Sequence, residues 1–156
     1  MPSMNATGQA IVDVRLVDGP LALAPVQPFP PAAGGECIFI GRTRRELHDE
    51  HGELRSLFYE AYRPMAEHVL RGLARDAIER FDCLAVRLHH AIGDVPVGEA
   101  SVLVQVACGH RGEAFEACRF LIDRLKREAP IWKQERWASG GETWSPGTRP
   151  SPSGVV

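Results

Sequence analysis

Lys126 and Lys133 are the only lysines in a 156-residue chain with eighteen basic residues, so arginine carries positive charge almost everywhere else. An ammonium can give up its proton and act as a base or nucleophile, whereas a guanidinium stays protonated. Two lysines on either side of Pro130 therefore mark a place where proton-transfer or nucleophilic chemistry is possible. The alternative is that both survive by chance in an arginine-biased composition and lie on a solvated face.

The elements that must position them can be read from periodicity. Ala114, Ala117, Cys118, Leu121 and Leu125, with Phe115 and Ile122 beside them, repeat at helical spacing and predict an amphipathic helix from about Arg111 to Glu128. Pro130 stops that helix and disfavours a helical Ala129, so residues 131–137 should leave as an extended arm. Lys126 then lies in the last helical turn, and Lys133 lies on the arm with Trp132 alternating to its other face. At the far end, the free N–H groups of the helix start, with His110 and Arg111, would suit a phosphate. A straight helix rises 1.5 Å per residue, which puts that end about 22 Å from Lys126.

A second cationic stretch lies upstream. Residues 37–40, Cys-Ile-Phe-Ile, have the form of a buried strand that delivers Arg42, Arg44 and Arg45 to a polar, mobile loop over residues 43–53. Arginines at a strand end can fork onto a phosphate or carboxylate, while Glu46, Asp49, Glu50 and Glu53 offer them a solvated neutralisation instead. His48 and His51 lack a further ligand at convincing spacing, so they read as exposed loop histidines and no metal site is expected.

The rest of the chain reads as a single domain over residues 10–144, with a disordered N-terminus at 1–9 and a flexible tail at 145–156. Residues 11–17 alternate as a strand, and the prolines between Pro20 and Gly35 exclude a long helix. A strand at 55–62 precedes a helix that starts around Pro64, runs to about Phe81, and carries Met65, Val69, Leu73, Ala77 and Ile78 on one face. Residues 84–90 form a strand that points His89 and His90 to opposite faces; Gly93 to Gly98 make a turn or short arm, and 101–107 form a β-branched strand. Helices against a mainly antiparallel sheet make an α+β domain.

A net charge of −2 and a pI near 6.3 argue against nucleic-acid binding by bulk charge, so any anion site must be local. There is no secretory signal or apolar run long enough to span a membrane, and the four cysteines form no Cys-x-x-Cys pair. The expectation is a cytoplasmic protein with reduced thiols, no membrane association and no cofactor. Cys37 and Cys118 occupy core-facing positions, and Cys37 and Cys83 remain possible neighbours.

Two ordered blocks carry a resemblance. His110-Arg111, Phe115-Glu116-Ala117, Leu125-Lys126 and Ala129-Pro130-Ile131-Trp132-Lys133-Gln134-Glu135 form one; Gly41-Arg42-Thr43-Arg44, Gly52, residues 57–62 and Met65-Ala66-Glu67 form the other. Together they resemble the catalytic (large) subunit family of molybdopterin synthase, over about residues 37–144. The Pro-rich segment departs from the family pattern, in which a helix commonly separates the first two strands. The resemblance implies a hammerhead-like α/β fold with a small extra β subdomain. It implies a sulfur transferase of molybdenum cofactor biosynthesis that makes the dithiolene of molybdopterin on cyclic pyranopterin monophosphate. The donor would be the Gly-Gly thiocarboxylate tail of a small ubiquitin-like subunit, with this chain as the homodimeric core of a 2+2 heterotetramer. Lys126 and Lys133 would be catalytic, and Arg42, Thr43, Arg44, His110, Arg111, Gln134 and Glu135 would contact substrate. Neighbouring Arg42, Arg44 and Arg127 are expected to depress the working amine. Two other readings stand beside this one: a non-catalytic module that holds an anionic tail or nucleotide, and a single-stranded RNA binder. The second is disfavoured because residues 101–107 lack the paired aromatics that stack bases.

Overall fold

The computed structural model describes residues 9–23 and 29–145. The expectations for residues 1–8 and 146–156 lie outside the described residues. The elements run β1 (Ile11–Asp18), β2 (Gly35–Arg42), β3 (Leu47–His48), β4 (Gly52–Ala61), α1 (Arg63–Phe81), β5 (Ala85–Pro96), β6 (Ala100–Cys108), α2 (Arg111–Glu128), β7 (Ile131–Trp137) and β8 (Glu142–Trp144). This is the α+β arrangement expected. The strands join in the order β2-β6-β5-β4-β7-β8, with β1 added parallel to β5 and β3 paired to β4.

Both helices cover one face of the main sheet. Leu70, Leu73, Ala74 and Ala77 of α1 meet Ala117, Leu121 and Leu125 of α2 over Val86, Leu88, Val104 and Val106 of the strands. On α1 the buried face centres on Ala66, Leu70 and Leu73, whereas Met65, expected inward, is exposed. Val69 and Ile78 pack only partly at the edge of this core. Ending α1 costs a left-handed residue, Asp82 at φ 51°, a conformation that Asp tolerates better than most.

β5 is where the molecule changes layer. Its residues 85–92 pair with β1, and 93–96 pair with β4. The switch falls at Gly93, whose φ of 89° suits glycine far better than a residue with a side chain. The segment read as a turn is thus the strand's continuation into a second, smaller sheet of β4, β7 and β8. A second core of Leu21, Tyr59, Ala91, Val95, Ala100 and Leu103 fixes the two sheets together.

Other expectations change for similar spatial reasons. β2 is an edge strand, paired only with β6, and leaves Ile38 51% and Phe39 38% exposed, so its apolar run is not buried. The 43–53 segment, expected as an irregular polar loop, closes as a short hairpin over residues 47–53: β3 pairs with β4, Leu54 N–H donates to Glu46 O, and His48 Nδ1 accepts from the backbone of Glu50 and His51. His48 and His51 lie against Trp137 and are not the exposed loop histidines expected. Cys83 contacts Cys108, Sγ to Sγ 3.5 Å, and not Cys37. Leu121 is fully buried between both helices and the sheet; Leu121→Ala should cost about 2–5 kcal/mol, read as a lower urea midpoint with an unchanged transition slope.

Candidate active site

Local sequence sets the two lysines. α2 runs unbroken to Glu128, the Ala129 backbone turns extended before Pro130, and the chain enters β7 at Ile131. Lys126 therefore sits in the last turn of α2. On β7, alternation turns Ile131, Lys133 and Glu135 to one side and Trp132, Gln134 and Arg136 to the other.

These groups meet in a cavity of 420 Å³ at the junction of the two sheets. Its walls include Lys126 and Leu125 of α2, Lys133 and Glu135 of β7, Tyr59 of β4 and His90 of β5. Arg44, Glu46 and Ser101 stand with them. The volume suits a small organic ligand.

Lys126 is exposed as a residue, yet the surrounding walls strip its ammonium of part of its hydration. That desolvation lowers its pKa, and the Lys133 charge lowers it further. The neighbouring arginines, expected to supply this effect, do not; Arg44 instead engages Glu46 at 3.1 Å. Glu135 accepts from the Thr143 hydroxyl at 2.7 Å and from Ser145 at 3.0 Å. Ser145, read from sequence as the start of a flexible tail, is buried here.

His90 is 6% exposed. Its Nδ1 lies 2.7 Å from the Ala91 carbonyl, which fits the Nδ1–H tautomer, and its ring meets Tyr59 edge-on at 4.9 Å. Burial holds its pKa down at about 4, with the Lys126 charge adding to that effect against the Ala91 contact. Burial also raises the Tyr59 phenol. Sequence reasoning noted His90 only as one of two histidines on opposite strand faces, and missed Tyr59 and Ser101 at the site. The only available signal was a polar residue at an inward strand position.

Several expected site residues lie elsewhere. The Arg42 guanidinium donates to Gly98 O, and the buried Thr43 hydroxyl donates to Val95 O at 3.0 Å, so both fasten the turn after β5. Gln134 donates to Glu142 on the other face of β7. His110 and Arg111 stand at the opposite end of α2 from Lys126. There Gly35 lets the chain entering β2 pass directly over them: a Cβ on it would lie 2.9 Å from Arg111 N. Among the described residues no group of His, Cys, Asp and Glu is placed to hold a metal, and no helix is long and apolar enough to cross a membrane.

Comparison with known proteins matches residues 16–128 to the MoaE protein family. A molybdopterin synthase catalytic subunit from Nostoc sp. is 43% identical over 114 residues, covering 72% of this chain and 68% of that protein. One from Aspergillus fumigatus is 39% identical over 114 residues, covering 73% of this chain and 60% of that protein. The crystal structure of molybdopterin synthase from Staphylococcus aureus superposes with a TM-score of 0.71 at 28% identity, covering 83% of this chain and 94% of that one.

The low His90 pKa carries a stability consequence. The unfolded imidazole binds a proton near its ordinary 6.5 and the folded one only near 4, so this contribution is intact above 6.5 and is lost as pH falls through that window. The loss should reach about 3 kcal/mol by pH 4. Urea unfolding from pH 7 to pH 4 should show it, and His90→Asn, which keeps an N–H for Ala91 O, should remove that part of the slope.

Proposed function

The chain belongs to the MoaE protein family, and we propose that it is a sulfur transferase that inserts the dithiolene sulfurs of molybdopterin into cyclic pyranopterin monophosphate. The donor is the thiocarboxylated Gly-Gly tail of a small ubiquitin-like subunit, and the work is done in the cytoplasm. A single observation carries the reading: one cavity holds both lysines with Arg44, and the Lys126 amine in it has a lowered pKa.

The chemistry needs a thiocarboxylate sulfur to attack the pterin side chain, oxygen to leave, and the resulting acyl intermediate to be hydrolysed. The sulfur arrives on the partner, so no cysteine nucleophile is required of this chain; Cys83, Cys108 and Cys118 are buried. Lys126 moves the protons, because a cation whose pKa is lowered spends more time as the free amine at a given pH. Lys133 lowers that pKa and contacts substrate, while Arg44 offers a forked donor to the phosphate. The partner's glycine tail suits a narrow entry along the end of α2 and the start of β7, since residues without side chains let backbones approach closely.

Lys126→Ala and Lys126→Arg should each lower product formation by on the order of 10²-fold or more while the thermal melt stays in place. Mass measurement of the pterin product after mixing with a thiocarboxylated partner provides the readout. Near-normal turnover by the arginine variant would favour the other reading, a module that merely holds an anionic tail, because a guanidinium keeps the charge and loses the amine.

His110 and Arg111 enter this scheme through a second copy. The straight α2 keeps them about 22 Å from Lys126, so in a two-fold dimer the pair from one subunit completes the other subunit's pocket. Mixing Lys126→Ala with Arg111→Ala chains should restore partial activity, since one pocket of each mixed dimer has both motifs intact. Absence of recovery despite verified subunit exchange would show that each chain works alone.

A further inference from the structure

Residues 43–46, which carry Arg44 and Glu46 to the cavity, lie between β2 and β3 and are fastened at both ends. On one side Thr43 is bonded into the turn between β5 and β6. Its hydroxyl donates to Val95 O at 3.0 Å, its N–H donates to Glu99 O at 3.0 Å, and its carbonyl accepts from Gly98 N–H at 2.7 Å. On the other side the β3–β4 hairpin docks on the turn between β7 and β8: Ala138 N–H donates to Glu53 O at 2.8 Å, and Ser139 N–H donates to His51 O at 3.2 Å. The ring of the buried Trp137 is centred 5.2 Å from that of His48 and 6.4 Å from that of His51. His48 closes the hairpin itself, because its Nδ1 accepts from Glu50 N–H at 3.1 Å and from His51 N–H at 3.3 Å. Both bonds need the Nδ1 lone pair, so the ring proton sits on Nε2.

We propose that His48 is a positioning residue for the cavity: by capping the hairpin turn from its side chain, it sets residues 47–53 on the β7–β8 turn and so holds Arg44 where its guanidinium meets substrate. The inference rests on the reading of Arg44 as the donor to the substrate's phosphate. The Arg44 side chain is 85% exposed, so packing does little to place it and the backbone fastenings on either side must. Arg45, between the two cavity residues, pairs with Glu53 of β4 at 2.6 Å and ties the arm to the same hairpin. Only Leu47 separates Glu46 from His48, and Leu54 N–H donates to Glu46 O at 2.9 Å, so a shift of the hairpin is passed to the arm. A side-chain acceptor for backbone N–H groups shortly ahead of it is what Asn and Asp supply in turns. Histidine adds a flat ring that lies against Trp137.

The test separates the acceptor from the ring. His48→Phe keeps a ring for Trp137 and loses the acceptor; it should raise KM for cyclic pyranopterin monophosphate by roughly tenfold while kcat holds, since Lys126 and Lys133 are untouched. His48→Asn, which returns an acceptor to the turn, should recover most of that loss. Arg44→Ala should raise KM at least as far, and Arg44→Ala/His48→Phe no further, because the histidine acts through the arginine. Gly141→Ala reaches the same hairpin with His48 in place: its Cβ would lie 2.8 Å from His51 Nδ1 and push the hairpin from the β7–β8 turn, so KM should rise again. An unchanged KM in His48→Phe and Gly141→Ala, a loss that Asn does not recover, or one that adds in full to Arg44→Ala would overturn the proposal. A readout without turnover is the rate at which phenylglyoxal modifies Arg44 in the intact chain, with inorganic phosphate as protectant and peptide mass spectrometry as detector. Phosphate should protect Arg44 in the wild type and in His48→Asn, and fail at the same concentration in His48→Phe. If the wild-type chain makes no pterin product with a thiocarboxylated partner, the functional reading falls and this protection still decides on His48: equal protection in all three chains, or none in any, overturns its role.

Discussion

A β-strand has only two edges, and the architecture follows from how β5 uses them. β6 pairs along residues 85–90, β1 along 85–92, and only the remaining four residues are left for β4. One sheet cannot accommodate all these partners side by side along one length, so the chain changes layer at Gly93 and a second sheet grows from the end of the first. A cleft opens where the two diverge. Its floor is strand, with His90 and Tyr59, and its wall is the end of α2, because Pro130 sends the chain from that helix straight into the second sheet. The lysines on either side of the proline are thereby brought from two elements to one cavity.

Much of this was legible in the sequence because it is local. The bounds of α2 follow from an apolar stripe and a proline, and the structure places them at Arg111 and Glu128 as expected. Alternation on 131–137 gave the correct side for Lys133 and for Trp132. What was not legible depends on which strands become neighbours. An apolar run such as residues 37–40 reads the same at the centre of a sheet as at its edge, and only the pairing reveals that Ile38 faces outward. The polar 43–53 segment lacks core positions, so nothing local announces that Trp137, far along the chain, will pack against His48 and His51.

The electrostatics of the amine illustrate the same limit. Arg127 is adjacent to Lys126 in sequence, yet a helix turns consecutive residues to different faces. Arg42 and Arg44 belong to the same motif block, yet Arg42 reaches Gly98 O and Arg44 meets Glu46 through its Nε. The groups that lower the pKa are the surrounding walls and Lys133, which a proline-directed reversal of the chain brings close. Spacing in sequence therefore singled out two lysines that share one cavity, but not the groups that lower the Lys126 pKa.

Arginine and lysine have divided the work by their chemistry. Guanidinium groups hold the outside of the molecule: Arg124 bridges Asp76 of α1 and Glu128, Arg136 spans to Asp94 while lying over Phe58, and Arg63 meets Asp18. A fixed charge with a planar fork suits such pairs, since it neither loses its proton when partly desolvated nor needs to. Inside the cleft the requirement is reversed. Lys126 is partly deprived of water and kept near the like charge of Lys133, which makes the site costly to assemble. The scaffold bears that cost through the two hydrophobic clusters that clamp the sheets around it. The rigidity of α2 has a further effect: it holds His110 and Arg111 at a fixed distance from Lys126, so one chain cannot bring both ends of the helix to one small ligand.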